Sequence, residues 1–220
     1  PSLFQLRLSR IASAQSFVQA IMGVEFNDNR VAFKDWPALK PETPFGSMPV
    51  LELADGTQIA QQRAILRFVG KLGGLYPEDP VAAARCDELL DATEDVVSKA
   101  FTVGQGLEKE AKEAARAEAA ATGVIADAFA KLDRFAASHG SGGHAVGSTM
   151  TIADIFLAVV PAFICGGFYD GVPQSTLLRY PNIQAARKTV MSHPRVVAWY
   201  AARGDSVSAP EAFTRDGALL

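Results

Sequence analysis

Cysteine is scarce in this chain: only Cys86 and Cys165 occur among its 220 residues. They lie far apart and form no C-x-x-C pair, which excludes a dithiol redox site. So few cysteines are typical of a reducing compartment, where disulfides do not persist. The first ten residues alternate apolar with polar side chains and contain no signal-peptide core. We therefore expect a cytoplasmic protein.

Long apolar runs and an excess of basic charge are also missing. The longest apolar candidate, residues 152–168, is interrupted by Asp154, Pro161 and two glycines, so it predicts a buried helix and no membrane partner. Lysine and arginine number 21 against 24 acidic residues, a net charge of −3. Without a basic stripe, nucleic acid is not an expected partner. The three histidines show no metal-ligand spacing, so no metal site is predicted.

Hydrophobic periodicity divides the chain into two parts. From residue 3 to about 75 the period switches between 2 and 3.6, in an order that predicts a β-α-β unit followed by β-β-α. Residues 76–81 (YPEDPV) carry two prolines and two acids and predict a linker. Beyond them nearly every segment has helical periodicity. Residues 108–138 are expected to form one helix, with a kink or a close helix crossing at Gly123.

Residues 35–66 contain the most informative pattern. Met48-Pro49 leads into the apolar pair Val50-Leu51, and proline without an N–H is confined to the first residue or the edge of a strand. This Met-Pro bond is a candidate for the cis isomer, which would present the backbone of Met48 to an extended ligand. Asp55-Gly56 predicts a hairpin turn, and a helix-period pattern begins at about Gln62.

Four motifs of this region follow one another in an order that resembles one family. They are residues 36–40 (WPALK), 45–52 (FGSMPVLE), Asp55-Gly56 and 61–65 (QQRAI). The set resembles the glutathione-binding half of cytosolic glutathione S-transferases, and the sigma class most closely. The resemblance implies an α/β thioredoxin-like N-terminal domain plus an all-α C-terminal domain. It implies glutathione binding within 1–77, a linker at 78–84, and helices in 85–220 for electrophile binding and dimer contact.

Glutathione has two carboxylates, an ammonium group, two amides and a thiol, and the resemblance implies a partner for each end. Lys40, with Trp36 before it, is the candidate for the glycyl carboxylate. The backbone of Met48 would pair with the cysteinyl unit, beside Ser47 and Pro49.

The γ-glutamyl end is assigned separately. Gln61 and Gln62 stand where a helix N-terminus favours an anion, and they are the candidates for the γ-glutamyl carboxylate. One helical face carries four acidic residues, Asp87, Asp91, Glu94 and Asp95. This cluster is either a solvated acidic face or a charged surface that meets a cation. The resemblance implies that Asp95 reaches the ammonium group of glutathione in a partner subunit of a homodimer.

The catalytic position departs from the family pattern. Sigma-like enzymes use a tyrosine at the end of the first strand to stabilise the glutathione thiolate, and ungapped counting places Gln5 there. No tyrosine precedes Tyr76. Ser9 matches the position of the catalytic serine in theta- and delta-like transferases. Two roles are open for Ser9, a cap for the helix that follows and a donor to the thiolate.

Two functions follow from these observations. The first is a glutathione S-transferase that conjugates the glutathione thiolate to small hydrophobic electrophiles, with glutathione as co-substrate and no metal required. The second is a catalytically weakened relative that serves as a binding or structural protein, because fold alone does not determine activity.

Thr151 and Asp154 form the sequence pattern of a capping box ahead of an apolar helix. A cap explains an aspartate in this position without any ligand. The resemblance agrees, since such a box is a folding signature of the family. We expect Asp154→Ala to cost ~1–2 kcal/mol.

Overall fold

The computed structural model describes residues 2–6, 21–23 and 26–202. The chain divides into two compact units, with the boundary between Tyr76 and Pro77. The first unit combines a small sheet with short helices, and the second is helical.

The first unit is built on a four-stranded mixed sheet. Its strands are β1 (Ser2–Leu6), β2 (Asn27–Val31), β3 (Val50–Glu52) and β4 (Gln58–Ala60), in the spatial order β2-β1-β3-β4. The β1–β2 pair is parallel, whereas β1–β3 and β3–β4 are antiparallel. Helix α1 (Trp36–Leu39) continues into a 3-10 turn (Lys40–Glu42), and α2 spans Gln62–Leu72. Ile21 and Met22 are helical as well. The order of the described elements agrees with the predicted β-α-β and β-β-α units, except that the periodicity did not predict α1.

The β3–β4 hairpin follows from its turn residues and its buried face. Gly56 has φ +84°, and the Asp55 carboxylate accepts the backbone N–H of Thr57 at 2.9 Å. These are the features that a tight Asp-Gly turn requires. Val50 and Leu51 are buried, so the strand that follows Met48-Pro49 lies in the core of this unit.

The second unit consists of six helices among the described residues. They are α3 (Pro80–Thr102), α4 (Lys109–Ala121), α5 (Val124–His139), α6 (Ile152–Phe163), α7 (Pro181–Met191) and α8 (Pro194–Ala202). Helix α6 is buried over nearly its whole length and packs against α3 and α7. It continues into a π turn (Ile164–Phe168), and a 3-10 turn (Gln174–Arg179) precedes α7.

Two sequence expectations need correction here. The single helix expected over 108–138 is two helices, because α4 ends at Ala121 and α5 begins after Gly123. A Cβ on Gly123 would lie 2.9 Å from the Cα of Ala119, so a side chain would overlap the preceding turn. The linker expected over 78–84 is too long, because Asp79 caps α3 through the N–H of Ala82 at 2.8 Å and Pro80 begins the helix.

Contacts distant in sequence fix the ends of these helices. The Asp133 carboxylate of α5 accepts the backbone N–H groups of Asn182 and Ile183 at 2.8 and 3.0 Å, and so caps the start of α7. Arg179 donates to the carbonyl of Ala121 at 2.7 Å and thereby satisfies the C-terminal end of α4. No helix within the described residues is long and apolar enough to cross a membrane.

Candidate glutathione site

The Met48-Pro49 corner lies at the start of β3. The peptide bond is cis, which confirms the sequence prediction. Val50 pairs with Phe4 of β1 on one side and with Ala60 of β4 on the other. This register brings Pro49 next to Gln61, the residue after Ala60, so the corner and the start of α2 are neighbours.

Trp36 and Lys40 stand at the two ends of helix α1. The backbone N–H of Lys40 bonds to the carbonyl of Trp36, so one helical turn separates the two residues. Lys40 is exposed, and its side chain runs over Gly46, since a Cβ built on Gly46 would lie 3.4 Å from the Lys40 Cε. The aliphatic part of the Lys40 side chain therefore packs on the loop that leads to Ser47 and Met48. Ser47 is exposed, and Met48 is half-buried.

Gln61 has the least usual backbone of the described residues outside glycine. Its φ is +72° and its ψ is 115°. Every other described residue with positive φ is a glycine. Side chains disfavour this region, and such conformations cluster at binding sites. The Gln61 side chain makes no capping hydrogen bond, although its carbonyl accepts the N–H of Ile65 at 3.0 Å. Gln62 is the first residue of α2 and is half-buried.

Gln5 and Ser9 are the two candidates for contact with the glutathione sulfur, and the structure describes only the first. Gln5 lies in β1, where its backbone is in register with Arg30 of β2. Arg30 pairs with Asp28 through Nε and Oδ1 at 2.8 Å, so its charge is neutralised. Ser9 lies outside the described residues.

The acidic face belongs to the second unit. Asp91 and Asp95 are exposed on α3, and Asp87 and Glu94 are half-buried beside them. The described residues contain no cluster of three or more histidine, cysteine or acidic side chains arranged to hold a metal ion.

Neither cysteine has the environment of a reactive thiol. Burial raises the pKa of Cys86 to about 11 and that of Cys165 to about 12. Both thiols are therefore protonated near neutral pH and cannot act as nucleophiles.

An open groove of about 650 Å³ lies beside β2 and α1. Its lining includes Arg30 of β2, Asp35 just before α1 and Glu42 of the 3-10 turn. Trp36 and Lys40 are not among its lining residues.

Comparison with known proteins decides the family. Residues 94–203 match the model of the glutathione S-transferase C-terminal domain. The chain is 36% identical to glutathione S-transferase 1 of Ascaris suum over 155 residues, which cover 66% of this chain and 74% of that protein. The chain belongs to the glutathione S-transferase family.

Further relatives agree with this assignment. Hematopoietic prostaglandin D synthase of Gallus gallus is 30% identical over 83% of this chain and 86% of its own length. The crystal structure of Na-GST-3, a glutathione S-transferase of the hookworm Necator americanus described as monomeric, superposes with a TM-score of 0.76 at 26% identity. That comparison covers 93% of this chain and 98% of the hookworm protein. The expected fold class, a thioredoxin-like domain followed by an all-α domain, is confirmed.

Sequence reasoning missed two features of the candidate site. The strained backbone of Gln61 has no sequence signal, because glutamine rarely adopts positive φ. The packing of Lys40 over Gly46 was also missed, although a glycine just before the Met-Pro corner could have suggested a close approach at that point.

Proposed function

We propose that this transferase binds glutathione along the Met48-Pro49 corner and conjugates its thiolate to small hydrophobic electrophiles. The observation that supports the proposal most is the β3–β4 register, because Val50 opposite Ala60 places the corner beside Gln61 and the N-terminus of α2. An extended peptide on this corner would have an anion-binding helix end on one side. On the other side it would meet the ammonium group of Lys40, whose stem packs on Gly46.

Each group of glutathione then has a partner of suitable chemistry. Lys40 and Trp36 bind the glycyl carboxylate, and the backbone of Met48, beside Ser47 and Pro49, pairs with the cysteinyl unit. Gln61 and Gln62 bind the γ-glutamyl carboxylate at the start of α2. The strain at Gln61 supports this role, since an unfavourable φ is maintained where it orients groups for binding.

We propose that the chain is close to the sigma class but has a different donor to the glutathione sulfur. Gln5 occupies the position of the family tyrosine, and Ser9 follows it four residues later in the sequence. We infer that Ser9 stabilises the thiolate, with Gln5 and local backbone N–H groups as the other donors at this position. A thiolate stabilised in this way is an activated nucleophile, and we infer that residues 85–220 supply the electrophile-binding surface.

A homodimer in the cytoplasm completes the proposal. Phe45 is the most exposed of the large apolar side chains in the described part of the chain, at 69%, and it lies three residues before the Met48 corner. We infer that this exposed ring contacts a second copy of the chain. Asp95 would then meet the ammonium group of glutathione bound by the partner. Because the hookworm relative is described as monomeric, a measurement of the oligomeric state of this chain tests the proposed homodimer directly.

The alternative function is glutathione binding without efficient turnover, which the absence of a tyrosine before Tyr76 favours. Steady-state kinetics with 1-chloro-2,4-dinitrobenzene, combined with calorimetry of glutathione binding, distinguish the two. Turnover that falls steeply in Ser9→Ala, with binding retained, supports the transferase. Binding without measurable turnover in the wild type supports the binding protein.

A further inference from the structure

Strand β2 (Asn27–Val31) forms one edge of the sheet. In the order β2-β1-β3-β4 it pairs with β1 alone among the described strands. Along an edge strand every second residue directs its N–H and C=O away from the sheet, where they can pair with another extended chain. None of the five residues of β2 is proline, so each outward-facing N–H is a hydrogen-bond donor. The strand therefore has the backbone groups that a docked peptide requires.

The groove of about 650 Å³ follows this edge. Four of its lining residues, 29–32, are consecutive in the sequence. Because neighbouring side chains of a strand point to opposite faces of the sheet, a groove that touches four in succession runs along the edge of the strand and not over one face. Its volume lies within the range of ligand pockets, about 300–1,000 Å³.

The segment from Asp35 to Glu42 forms the other wall of the groove. Leu39 lines the groove together with these two acidic residues. The backbone N–H groups of Asp35 and Trp36 donate to the carbonyl of Ala32 at 3.0 and 3.2 Å. These bonds hold the wall against the end of β2, so the groove is bounded by a strand edge on one side and a short helix on the other.

The groove has an excess of acidic charge. Asp35 and Glu42 are exposed, and neither carboxylate forms an ion pair or a side-chain hydrogen bond within the described residues. Arg30 is the cation of the lining, and Asp28 neutralises it at 2.8 Å. Lys34 is exposed in the same loop but is not a lining residue. Two carboxylates without partners beside an open strand edge favour a ligand with basic side chains.

Phe33 places an exposed aromatic ring next to the groove in sequence. It follows Ala32, a lining residue, and its side chain is 60% exposed. Aromatic side chains are frequent anchors of protein interfaces, since they bury a large area with few rotatable bonds. Glutathione has a net negative charge, so this acidic groove favours a different ligand.

We propose that the β2 edge, the groove beside it and Phe33 form a docking site for an extended basic peptide of a partner protein. The peptide adds to the sheet as a fifth strand outside β2. Its basic side chains meet Asp35 and Glu42, and an apolar side chain packs on Phe33. The site lies within the first unit, and its test needs no glutathione, so it can fail or succeed separately from the proposed function.

Fluorescence anisotropy with a labelled peptide tests the site in the full chain. The probe is an octapeptide in which lysine and valine alternate, and the control peptide has the same sequence with all internal amides N-methylated. N-methylation keeps the charge and removes the N–H donors. We expect it to weaken binding at least about tenfold. An octapeptide of alternating glutamate and valine should not bind, because its charge has the same sign as that of the groove.

Two double variants test the charge of the groove. Asp35→Asn combined with Glu42→Gln should weaken binding of the lysine peptide at least about tenfold, because it removes both unpaired carboxylates. Glu108→Gln combined with Glu110→Gln removes two exposed carboxylates from the second unit and should change that binding less than about twofold. Phe33→Ser should also weaken binding, since it removes the aromatic anchor.

Three results would overturn the proposal. They are the absence of saturable binding of the lysine peptide up to about 1 mM, equal binding of the N-methylated peptide, and equal losses in the two double variants. The comparison of the peptides uses the wild-type protein alone, so it decides the question even where a variant does not fold.

Discussion

Asp154 accepts the backbone N–H of Ala145 at 2.6 Å and so ties the loop before α6 to the start of that helix. The same carboxylate accepts the N–H of Thr151 at 2.7 Å, in the capping box that the sequence predicts. Burial raises the pKa of Asp154, and the two N–H donors oppose that effect. The His144 Nδ1 lies 3.6 Å from the carboxylate.

Asp154→Ala should therefore cost more than a cap alone. The loss of the cap and the buried, unpaired N–H of Ala145 together are expected to lower the free energy of unfolding by ~2–4 kcal/mol. Urea denaturation measures the change. Asp127→Ala, in the exposed first turn of α5, is the matched control and should have a much smaller effect. Equal losses in the two variants would contradict the account.

The local features of this fold could be predicted from the sequence, and the distant contacts could not. The Thr151–Asp154 box, the Asp55-Gly56 turn and the Met48-Pro49 corner each depend on residues within a few positions of one another. The bond from Arg179 to Ala121 joins residues far apart in the chain, and no local pattern indicates it. The break at Gly123 was missed because the alanine-rich residues on both sides favour a continuous helix.

The same division holds for the candidate site. Lys40, Met48 and Gln61 could be selected because they fall on motifs that are contiguous in sequence. The closeness of Met48 to Gln61 depends on the β3–β4 register, that of Lys40 depends on its packing over Gly46, and the strain of Gln61 depends on the junction between β4 and α2. Neither property belongs to the residue type, so the structure was required.

Gly171→Ala tests the close contact between the turn after Tyr169 and helix α4. The variant combines an unfavourable φ of +90° with overlap against Glu113, and we expect a loss of at least ~1–3 kcal/mol in the free energy of unfolding. Gly142→Ala is the control, since Gly142 also has positive φ but nothing within 4 Å of its Cβ position. Thermal unfolding measures both variants. A larger loss in the control would refute the packing argument.

The buried thiol of Cys86 should make stability fall at alkaline pH. Its pKa is raised from 9.0 to about 11 by burial, so between these values the unfolded state has lost its proton while the folded state retains it. The thiol's contribution is complete below pH 9 and is lost as the pH rises towards 11. Urea midpoints measured at several pH values should fall less steeply in Cys86→Ala than in the wild type. Parallel curves would show that Cys86 has no part in the effect.

Phe45→Ser tests the proposed homodimer. Removing a ring that is 69% exposed should leave the fold intact and shift the protein towards monomer in sedimentation velocity. Phe33→Ser is the control, because Phe33 is 60% exposed in the same unit but lies away from the Met48 corner in sequence. A wild type that is already monomeric, like the hookworm relative, would remove the dimer from the account.

Lys40→Ala should weaken glutathione binding by about tenfold or more, since it removes a charged partner of the glycyl carboxylate. The dipeptide γ-glutamylcysteine lacks the glycyl unit and should bind the wild type and Lys40→Ala equally well. Lys34→Ala, another exposed lysine near α1, should leave glutathione binding unchanged. If both lysine variants bind glutathione as the wild type does, Lys40 has no role in the site.

Calorimetric titration of the wild-type protein with glutathione tests the central claim most directly. The account expects saturable binding of one tripeptide per chain, with a dissociation constant below about 1 mM. Saturable binding that is lost when the Lys40 contact and the Gln61–Gln62 contacts are removed together would place the ligand along the Met48-Pro49 corner. The absence of saturable heat at millimolar glutathione, with folded protein, would contradict the account.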